Sequence, residues 1–186
     1  MILMAGWRRA LRWLATLVVL AVLARLAYPY ARHAYRVVGL MREPAPESLP
    51  VPVEDVRPSQ LADTWGAARG EGRTHQGIDI FARRNTPVLS ATRGIVVRRG
   101  LNRLGGRTIS VLGPGGQYHY YAHLEEWAEP DVGDWVETGE VIGYVGDSGN
   151  AQGTPPHLHY GIYAGGEAIN PYPKLRADPS PSPAAP

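Results

Sequence analysis

Residues 107–123 read Arg-Thr-Ile-Ser-Val-Leu-Gly-Pro-Gly-Gly-Gln-Tyr-His-Tyr-Tyr-Ala-His, which is two strand-like runs joined by a Gly/Pro turn. Branched and aromatic side chains favour strands, whereas Gly and Pro favour turns. Similar runs predict strands throughout the central part of the chain, at residues 77–80, 94–99, 107–112, 117–123, 141–145 and 157–163. Because no long amphipathic helix pattern lies between them, the sequence predicts a mainly β fold, a compact antiparallel β-sheet domain.

The composition fits one globular domain with attached segments. The chain has 186 residues, of which 44% are hydrophobic and 19% are charged, an ordinary balance for a folded protein. It contains no cysteine. Disulfides, thiolate metal ligands and cysteine nucleophiles are therefore excluded, and any metal ion would have to be held by His, Asp or Glu.

Positive charge is concentrated near the N-terminus. Residues 1–59 carry eight Arg and four acidic residues, whereas residues 60–172 carry nine Arg and twelve acidic residues. A nucleic-acid-binding domain is expected to be basic. The mildly acidic central part therefore argues against nucleic acid as a partner.

The N-terminal segment has the features of a hydrophobic, membrane-directed helix. Three arginines precede an apolar run at residues 13–24, and Arg25 separates this run from further apolar residues. A cleaved signal peptide needs a short apolar stretch followed by small residues, whereas an anchor needs about 20 apolar residues. We favour an uncleaved anchor, with secretion after signal cleavage as the alternative. The arginines predict a cytoplasmic N-terminus and a cell-envelope location for the remainder, with the periplasm as the expected compartment.

Composition divides the chain into four parts. The predicted segments are an N-terminal signal-anchor or transmembrane segment, a Pro-rich linker that serves as a semi-stiff spacer, the central β domain, and a disordered Pro/Ser/Ala tail, at residues 1–36, 37–59, 60–172 and 173–186. Proline favours extended spacers, and the tail lacks residues that could be buried.

The pattern His157-Leu-His159 places two histidines two residues apart on a predicted strand. Residues with this spacing point to the same face of a strand. The two rings would suit two metal ligands, or one ligand and one proton-transfer group. The alternative is a strand with two solvated polar positions.

The pattern His75-Gln-Gly-Ile-Asp79 predicts a histidine from a loop and an acid from the strand that follows. Gly77 inside the pattern argues against a helix. Asp79 lies between Ile78 and Ile80, and an acid buried among apolar residues needs a partner such as a metal ion. The alternative is an exposed strand position.

A third pattern, Tyr121-Ala-His123-Leu124, ends the strand-like run at residues 117–123. An imidazole titrates near neutral pH, so His123 is a candidate proton shuttle. Strand alternation predicts that His119, Tyr121 and His123 share one face. We expect His119 itself to be a surface residue.

Together the three histidine patterns resemble the lysostaphin-type, LytM-like zinc endopeptidases over about residues 62–172. Further segments resemble that family in the same order: Gly77-Ile-Asp-Ile, Pro87-Val-Leu-Ser-Ala, Gly94-Ile-Val, Val132-Gly-Asp, Gly139-Glu-Val-Ile-Gly-Tyr-Val-Gly and Ser148-Gly-Asn. The resemblance implies a LytM/lysostaphin-like fold related to barrel-sandwich hybrids. It also implies hydrolysis of peptide bonds in bacterial peptidoglycan.

The resemblance assigns a role to each histidine pattern. The family's zinc ligands correspond to His75, Asp79 and His159, and its two further active-site histidines to His123 and His157. Zn²⁺ is thus the expected cofactor, and peptidoglycan peptides are the expected substrates. Family members often have an aromatic or basic residue before the first ligand to stabilise the oxyanion, and Arg69 and Arg73 occupy that region here.

Two other functions compete with hydrolysis. One is a catalytically silent relative that binds peptidoglycan or activates another cell-wall hydrolase, which the complete ligand set disfavours. The other is a biotinyl or lipoyl carrier domain, suggested by the run at residues 132–143. A carrier needs an exposed lysine in that hairpin, but the chain's one lysine is Lys174.

Overall fold

The computed structural model describes residues 2–177, including their side chains except those of residues 2–6, 8–10 and 71. The chain forms two compact units, Met1–Val38 and Gly39–Pro186. The end of the predicted tail, residues 178–186, lies outside the described residues.

Helix α1 spans Ile2–Arg42 and carries the predicted apolar segment. Its part Leu11–Arg42 is long and apolar enough to cross a membrane by length and composition, with a mean hydropathy of 1.7 over an 18-residue stretch. A signal sequence near an N-terminus has the same properties. The helix predicted from the sequence is therefore confirmed, and both an anchor and a signal sequence remain compatible with it.

The second unit is built on one antiparallel sheet. Its strands are β1 Ile78–Phe81, β2 Pro87–Leu89, β3 Gly94–Asn102, β4 Gly106–Leu112, β5 Tyr118–Trp127, β6 Trp135–Val136, β7 Val141–Val145, β8 His157–Ala164 and β9 Glu167–Ile169, followed by helix α2 Tyr172–Arg176. The main path runs β1-β8-β5-β4-β3-β6, while β7 pairs with β2 and β5, and β9 pairs with β8.

Each predicted strand is present, and the mainly antiparallel β fold is confirmed. The prediction missed β2, β6 and β9, which are two or three residues long. A strand this short cannot display the alternation by which strands are predicted.

The hydrophobic core contains side chains from both the sheet and the segments that flank it. Its fully buried members include Ile78, Ile109, Tyr121, Leu158 and Tyr160. Burial of a large apolar side chain contributes about 1.5–3 kcal/mol to stability. The core therefore holds β1, β4, β5 and β8 rigidly together beneath the histidines.

Part of the predicted spacer packs onto this core. Leu49 and Val53 are buried core residues, the Leu49 N–H donates to the Lys174 carbonyl at 2.9 Å, and Val53 forms a β-bridge with Val88. Leu175, within the predicted tail, is also in the core. Pro52 is buried as well, whereas Val51 is half-buried, so the burial of this segment does not follow a simple alternation.

A β-bulge in β5 controls the direction of His123. Ile109 faces Tyr121 and Arg107 faces Leu124 across the ladder, so two residues of β5 oppose one residue of β4. His123 has a φ of 64°, in the left-handed region that few non-glycine residues adopt.

The bulge overturns the prediction that His119, Tyr121 and His123 share a face. His119 and Tyr121 are fully buried, whereas His123 lines a groove on the other side with Tyr120 and Ala122. The expectation that His119 lies on the surface is also wrong. Its Nδ1 is 2.7 Å from the Tyr160 hydroxyl, inside the core.

Candidate metal centre

Strand pairing brings two of the predicted ligands together. Asp79 of β1 and His159 of β8 are directly opposite in the antiparallel register, and His75 lies in the loop that leads into β1. The ligand atoms of the three residues all lie within 4.8 Å of one another. Residues that are 84 positions apart in sequence, His75 and His159, thus form one cluster.

The cluster has dimensions that suit a small tetrahedral cation. His75 Nε2 is 2.8 Å from His159 Nδ1 and 3.1 Å from Asp79 Oδ1, and His159 Nδ1 is 3.2 Å from Asp79 Oδ1. Ligand atoms about 2.0–2.1 Å from a tetrahedral zinc ion lie about 3.3 Å apart. The donor set of two nitrogens and one oxygen therefore fits a divalent metal with little movement.

Hydrogen bonding prepares His75 to act as a ligand. Its Nδ1 lies 2.7 Å from the Thr64 carbonyl oxygen, which can only accept, so Nδ1 carries the proton and donates it. Nε2 then keeps the lone pair that a metal requires. Burial also lowers the pKa of His159, which favours its neutral ring.

Asp79 is held in its ionised form by its surroundings. Burial alone would raise the pKa of Asp79, but hydrogen bonds from His159, His75 and Arg69 outweigh it and hold that pKa well below its usual range. The Arg69 guanidinium pairs with Oδ2, and the Asp79 N–H donates to the Thr64 hydroxyl at 3.0 Å. Oδ1 remains directed at the two histidines.

Gly77 provides the space that this arrangement needs. A Cβ atom at this position would lie 2.8 Å from His159 Cε1 and 2.5 Å from the Tyr160 carbonyl oxygen. Both distances are shorter than ordinary contacts. The glycine inside the His75–Asp79 pattern therefore has a steric role, beyond its indication that the segment is not a helix.

Two more histidines face the cluster with a free Nε2. His123 Nδ1 donates to the Ser148 carbonyl at 2.8 Å, and His157 Nδ1 donates to the Pro155 carbonyl at 2.9 Å. Their ring centroids are 5.0 Å apart, and His157 Nε2 is 4.0 Å from Asp79 Oδ1. Burial lowers the pKa of His123 to about 4, so its ring is neutral and can accept a proton at neutral pH.

One groove of about 1260 Å³ contains the whole constellation. Each of the residues proposed from the sequence lines it: His75, Asp79, His123, His157 and His159. The candidates Arg69 and Arg73 line it as well. His119 does not belong to this set, because its ring is in the core.

Sequence reasoning missed residues that support the site through hydrogen bonds. Thr64 and Pro155 act largely through carbonyl oxygens, which any residue type carries, so their identity gives no signal. Ser148 was visible only as part of a family-like segment. The contacts of Ser148 can be predicted only when it is known which loops lie next to one another.

The profile of Peptidase family M23 matches residues 73–171. The chain is 47% identical over 126 residues to an L-Ala--D-Glu endopeptidase of Bacillus subtilis, covering 61% of this chain and 39% of that protein. It is 35% identical over 99 residues to the DD-carboxypeptidase/endopeptidase Mpg of Neisseria meningitidis serogroup B, covering 53% of this chain and 22% of that protein.

Among solved structures, the catalytic domain of the antimicrobial peptidase lysostaphin from Staphylococcus simulans is similar to this chain with a TM-score of 0.58 and 29% identity. The match covers 64% of this chain and 96% of that domain. The chain belongs to peptidase family M23, the lysostaphin and LytM-like group of metallopeptidases. It spans less than half the length of the two sequence relatives named above.

Proposed function

We propose that this protein is a zinc-dependent endopeptidase that hydrolyses peptide cross-links or stem peptides of bacterial peptidoglycan. The observation that carries the proposal is the cluster of His75, Asp79 and His159, whose ligand atoms lie within 4.8 Å of one another at the base of a groove. An Asp and two His ligands suit zinc, and they leave one coordination position for water or substrate.

The chain's residues would divide the chemistry as follows. His75, Asp79 and His159 hold the ion, which when bound acidifies water and polarises the scissile carbonyl. In the neutral form of each ring, His123 and His157 keep the lone pair on Nε2, because Nδ1–H donates to a carbonyl. Either ring can take the proton of the attacking water at Nε2, and a protonated ring can donate it to the leaving amine.

The relatives and helix α1 support the proposed substrate and location. One relative is named for the L-Ala–D-Glu bond and another for DD-carboxypeptidase and endopeptidase activity. We expect this protein to act on peptidoglycan peptides in the cell envelope, with the enzyme domain outside the cytoplasm. The hydrophobic helix supports attachment to the membrane.

Metal content and digestion of defined muropeptides test this function. The full chain, purified in detergent, should contain about one zinc ion and should release soluble fragments from peptidoglycan, and a chelator should stop the release. His159→Ala should lose both properties. The matched control is His33→Ala, which changes a histidine of α1 and should keep both.

The digestion experiment also distinguishes an enzyme from a catalytically silent binding module. A chain that binds zinc and peptidoglycan but releases no fragments from any muropeptide would contradict hydrolysis. Digestion that is equal in the wild type and in His159→Ala would show that the activity does not arise at this site.

A further inference from the structure

Among the side chains that the structure describes, more positive than negative charges line the groove. Three arginines line it, Arg69, Arg73 and Arg98, and Asp79 is the one acid among the lining side chains that the structure describes. Arg69 already pairs with Asp79 Oδ2. A groove with this balance concentrates anionic ligands.

Arg98 lies at a defined distance from the reaction centre. Across the sheet, Arg98 of β3 faces Ser110 of β4, and Ser110 faces Tyr120 of β5. The Tyr120 ring centroid is 6.0 Å from that of His159. Three strand spacings separate Arg98 of β3 from His159 of β8 along the path β3-β4-β5-β8, roughly 14 Å, which is the length of about four residues of extended peptide.

Arg98 differs from its neighbour Arg99 in its partners. Arg99 is 3.4 Å from the Asp131 carboxylate and stacks over the Trp127 ring at 5.4 Å. Among the described residues, Arg98 has no hydrogen bond or ion pair, and its exposed side chain lines the groove. Its guanidinium can therefore bind a planar anion in a bidentate manner.

We propose that Arg98 forms a subsite for a free carboxylate of the peptide substrate, about four residues from the scissile bond. The proposal rests on the proposed function, because the bond that is cut lies at the His75, Asp79 and His159 cluster. Arginine suits this role better than lysine because its fork of donors matches both carboxylate oxygens.

The test compares the smallest muropeptide that the wild type cleaves with versions in which each carboxylate in turn is converted to a carboxamide. For one carboxylate, kcat/KM should fall about tenfold on amidation, mostly through KM. In Arg98→Gln the acid and the amide should be cleaved equally well. Arg99→Gln, on the opposite side of the strand, should keep the wild-type ratio.

One result would refute the Arg98 subsite, and a different result would refute the proposed function. If the wild type cleaves muropeptides but Arg98→Gln keeps the same acid-to-amide ratio, the subsite is wrong and the enzyme assignment stands. If no muropeptide is cleaved, the enzyme assignment fails. Calorimetric binding of a peptidoglycan stem peptide and of its singly amidated versions to the wild type then still tests Arg98, and equal affinity for acid and amide would refute the subsite.

Ser148 joins three segments of the chain beside His123. The Ser148 hydroxyl accepts from the Arg107 N–H at 2.9 Å and donates to the Leu124 carbonyl at 2.8 Å. These two residues flank the bulge in the β4–β5 ladder. The Ser148 carbonyl also accepts from His123 Nδ1.

The surrounding backbone packs without space for side chains. A Cβ on Gly106 would lie 2.3 Å from Ser148 Oγ, and one on Gly149 would lie 2.3 Å from the Gly106 nitrogen. The Asn150 N–H donates to Leu104 at 3.0 Å, and the His123 N–H donates to Gly105 at 2.7 Å. The turn before β4, the bulge and the Ser148 loop therefore form one tightly fitted unit.

We infer that Ser148 is a positioning residue for His123, acting through both its hydroxyl and its carbonyl. The hydroxyl bonds to the Arg107 N–H and to the Leu124 carbonyl, which are backbone groups at one edge of the bulge. The carbonyl fixes the Nδ1–H tautomer of His123 and so keeps Nε2 available in the groove.

Ser148→Ala tests this role. We expect kcat to fall about tenfold or more with KM and zinc content unchanged, because ligands and groove remain intact. NMR of the His123 ring nitrogens should show a mixture of tautomers in the variant and a single tautomer in the wild type. The control is Ser90→Ala, which removes a buried hydroxyl bonded to the Thr92 carbonyl away from the groove.

A lower melting temperature with unchanged kcat and an unchanged His123 spectrum would refute the positioning role. In that case Ser148 would serve stability alone. The NMR readout does not depend on catalysis, so it separates this inference from the proposed function.

Discussion

The two carboxylate oxygens of Asp79 have different partners. Oδ1 lies 3.1–3.2 Å from the ligand nitrogens of His75 and His159, while Oδ2 pairs with Arg69. An ionised carboxylate accepts at both oxygens. Arg69 thus fixes the orientation of the carboxylate and leaves Oδ1 for a cation.

Removal of Arg69 should weaken metal binding. We expect Arg69→Met to raise the Kd for zinc by about 10-fold to 100-fold, as is usual for groups that orient metal ligands. Competition with a chromophoric chelator measures this. Arg93→Met, which breaks an exposed pair with Glu43, should leave the Kd unchanged, and an equal effect of both variants would contradict a specific role for Arg69.

Gly77→Ala should disrupt the site by steric contact. The new methyl group would collide with the His159 ring and the Tyr160 carbonyl, so zinc affinity and melting temperature should both fall. Gly100→Ala is the matched control, because a Cβ there would have nothing within 4 Å. Normal zinc binding by Gly77→Ala would show that the backbone near His159 adapts readily.

At this scale much of the site was predictable. Strand geometry predicted that His157 and His159 share a face and that His75 leads from a loop to Asp79 on a strand. The choice of ligands came from the family resemblance. His123 was found as a candidate, but its face was assigned incorrectly. Alternation cannot reveal an extra residue in a strand, because a bulge depends on the partner strand as well.

At the scale of elements, the β5–β8 pair supports the groove with a buried polar contact. His119 Nδ1 lies 2.7 Å from the Tyr160 hydroxyl, and the Tyr121 hydroxyl accepts from the Ala91 N–H at 2.9 Å. Both tyrosine rings are fully buried. These hydrogen bonds on the core side of the sheet thus hold the β5–β8 ladder, which carries His123, His157 and His159.

His119 should make stability depend on pH. Burial, followed by the charge of Lys174, lowers the pKa of His119 to about 3 from 6.5. Between these values the unfolded chain binds a proton that the folded chain does not, so this stability is full above pH 6.5 and decreases as pH falls toward 3. The loss between pH 7 and pH 5 should be about 2 kcal/mol.

Urea unfolding at pH 7 and pH 5, with a chelator present so that metal release does not contribute, measures this loss. His119→Phe should show a smaller difference between the two pH values, whatever its absolute stability. An identical difference in wild type and variant would show that the His119 proton is not linked to folding.

At the scale of the whole molecule, the flanking segments belong to the β domain. Leu49 and Val53 precede residue 60, and Leu175 follows residue 172, yet all three are core residues. The spacer prediction rested on proline content, which reports backbone stiffness and does not report which apolar residues find a partner. Long-range packing of this kind has no local sequence signal.

Truncation should show that the stability of the β domain depends on its flanking segments. A fragment of residues 60–172 should melt at a lower temperature than a fragment of residues 39–177, because it loses the burial of three core side chains, about 1.5 kcal/mol or more for each. Calorimetry of both fragments provides the measurement. Equal melting temperatures would mean that the flanking contacts contribute little to folding.

The extra residue in β5 has an implication for how relatives of this chain are compared. Loss of Ala122 would restore regular pairing with β4, and the imidazole would then project from regular strand backbone instead of from the left-handed conformation that His123 has here. Such a sequence would still align perfectly at every histidine. Counting the positions between Tyr121 and Leu124 is therefore a stricter criterion for a working centre than matching the residues themselves.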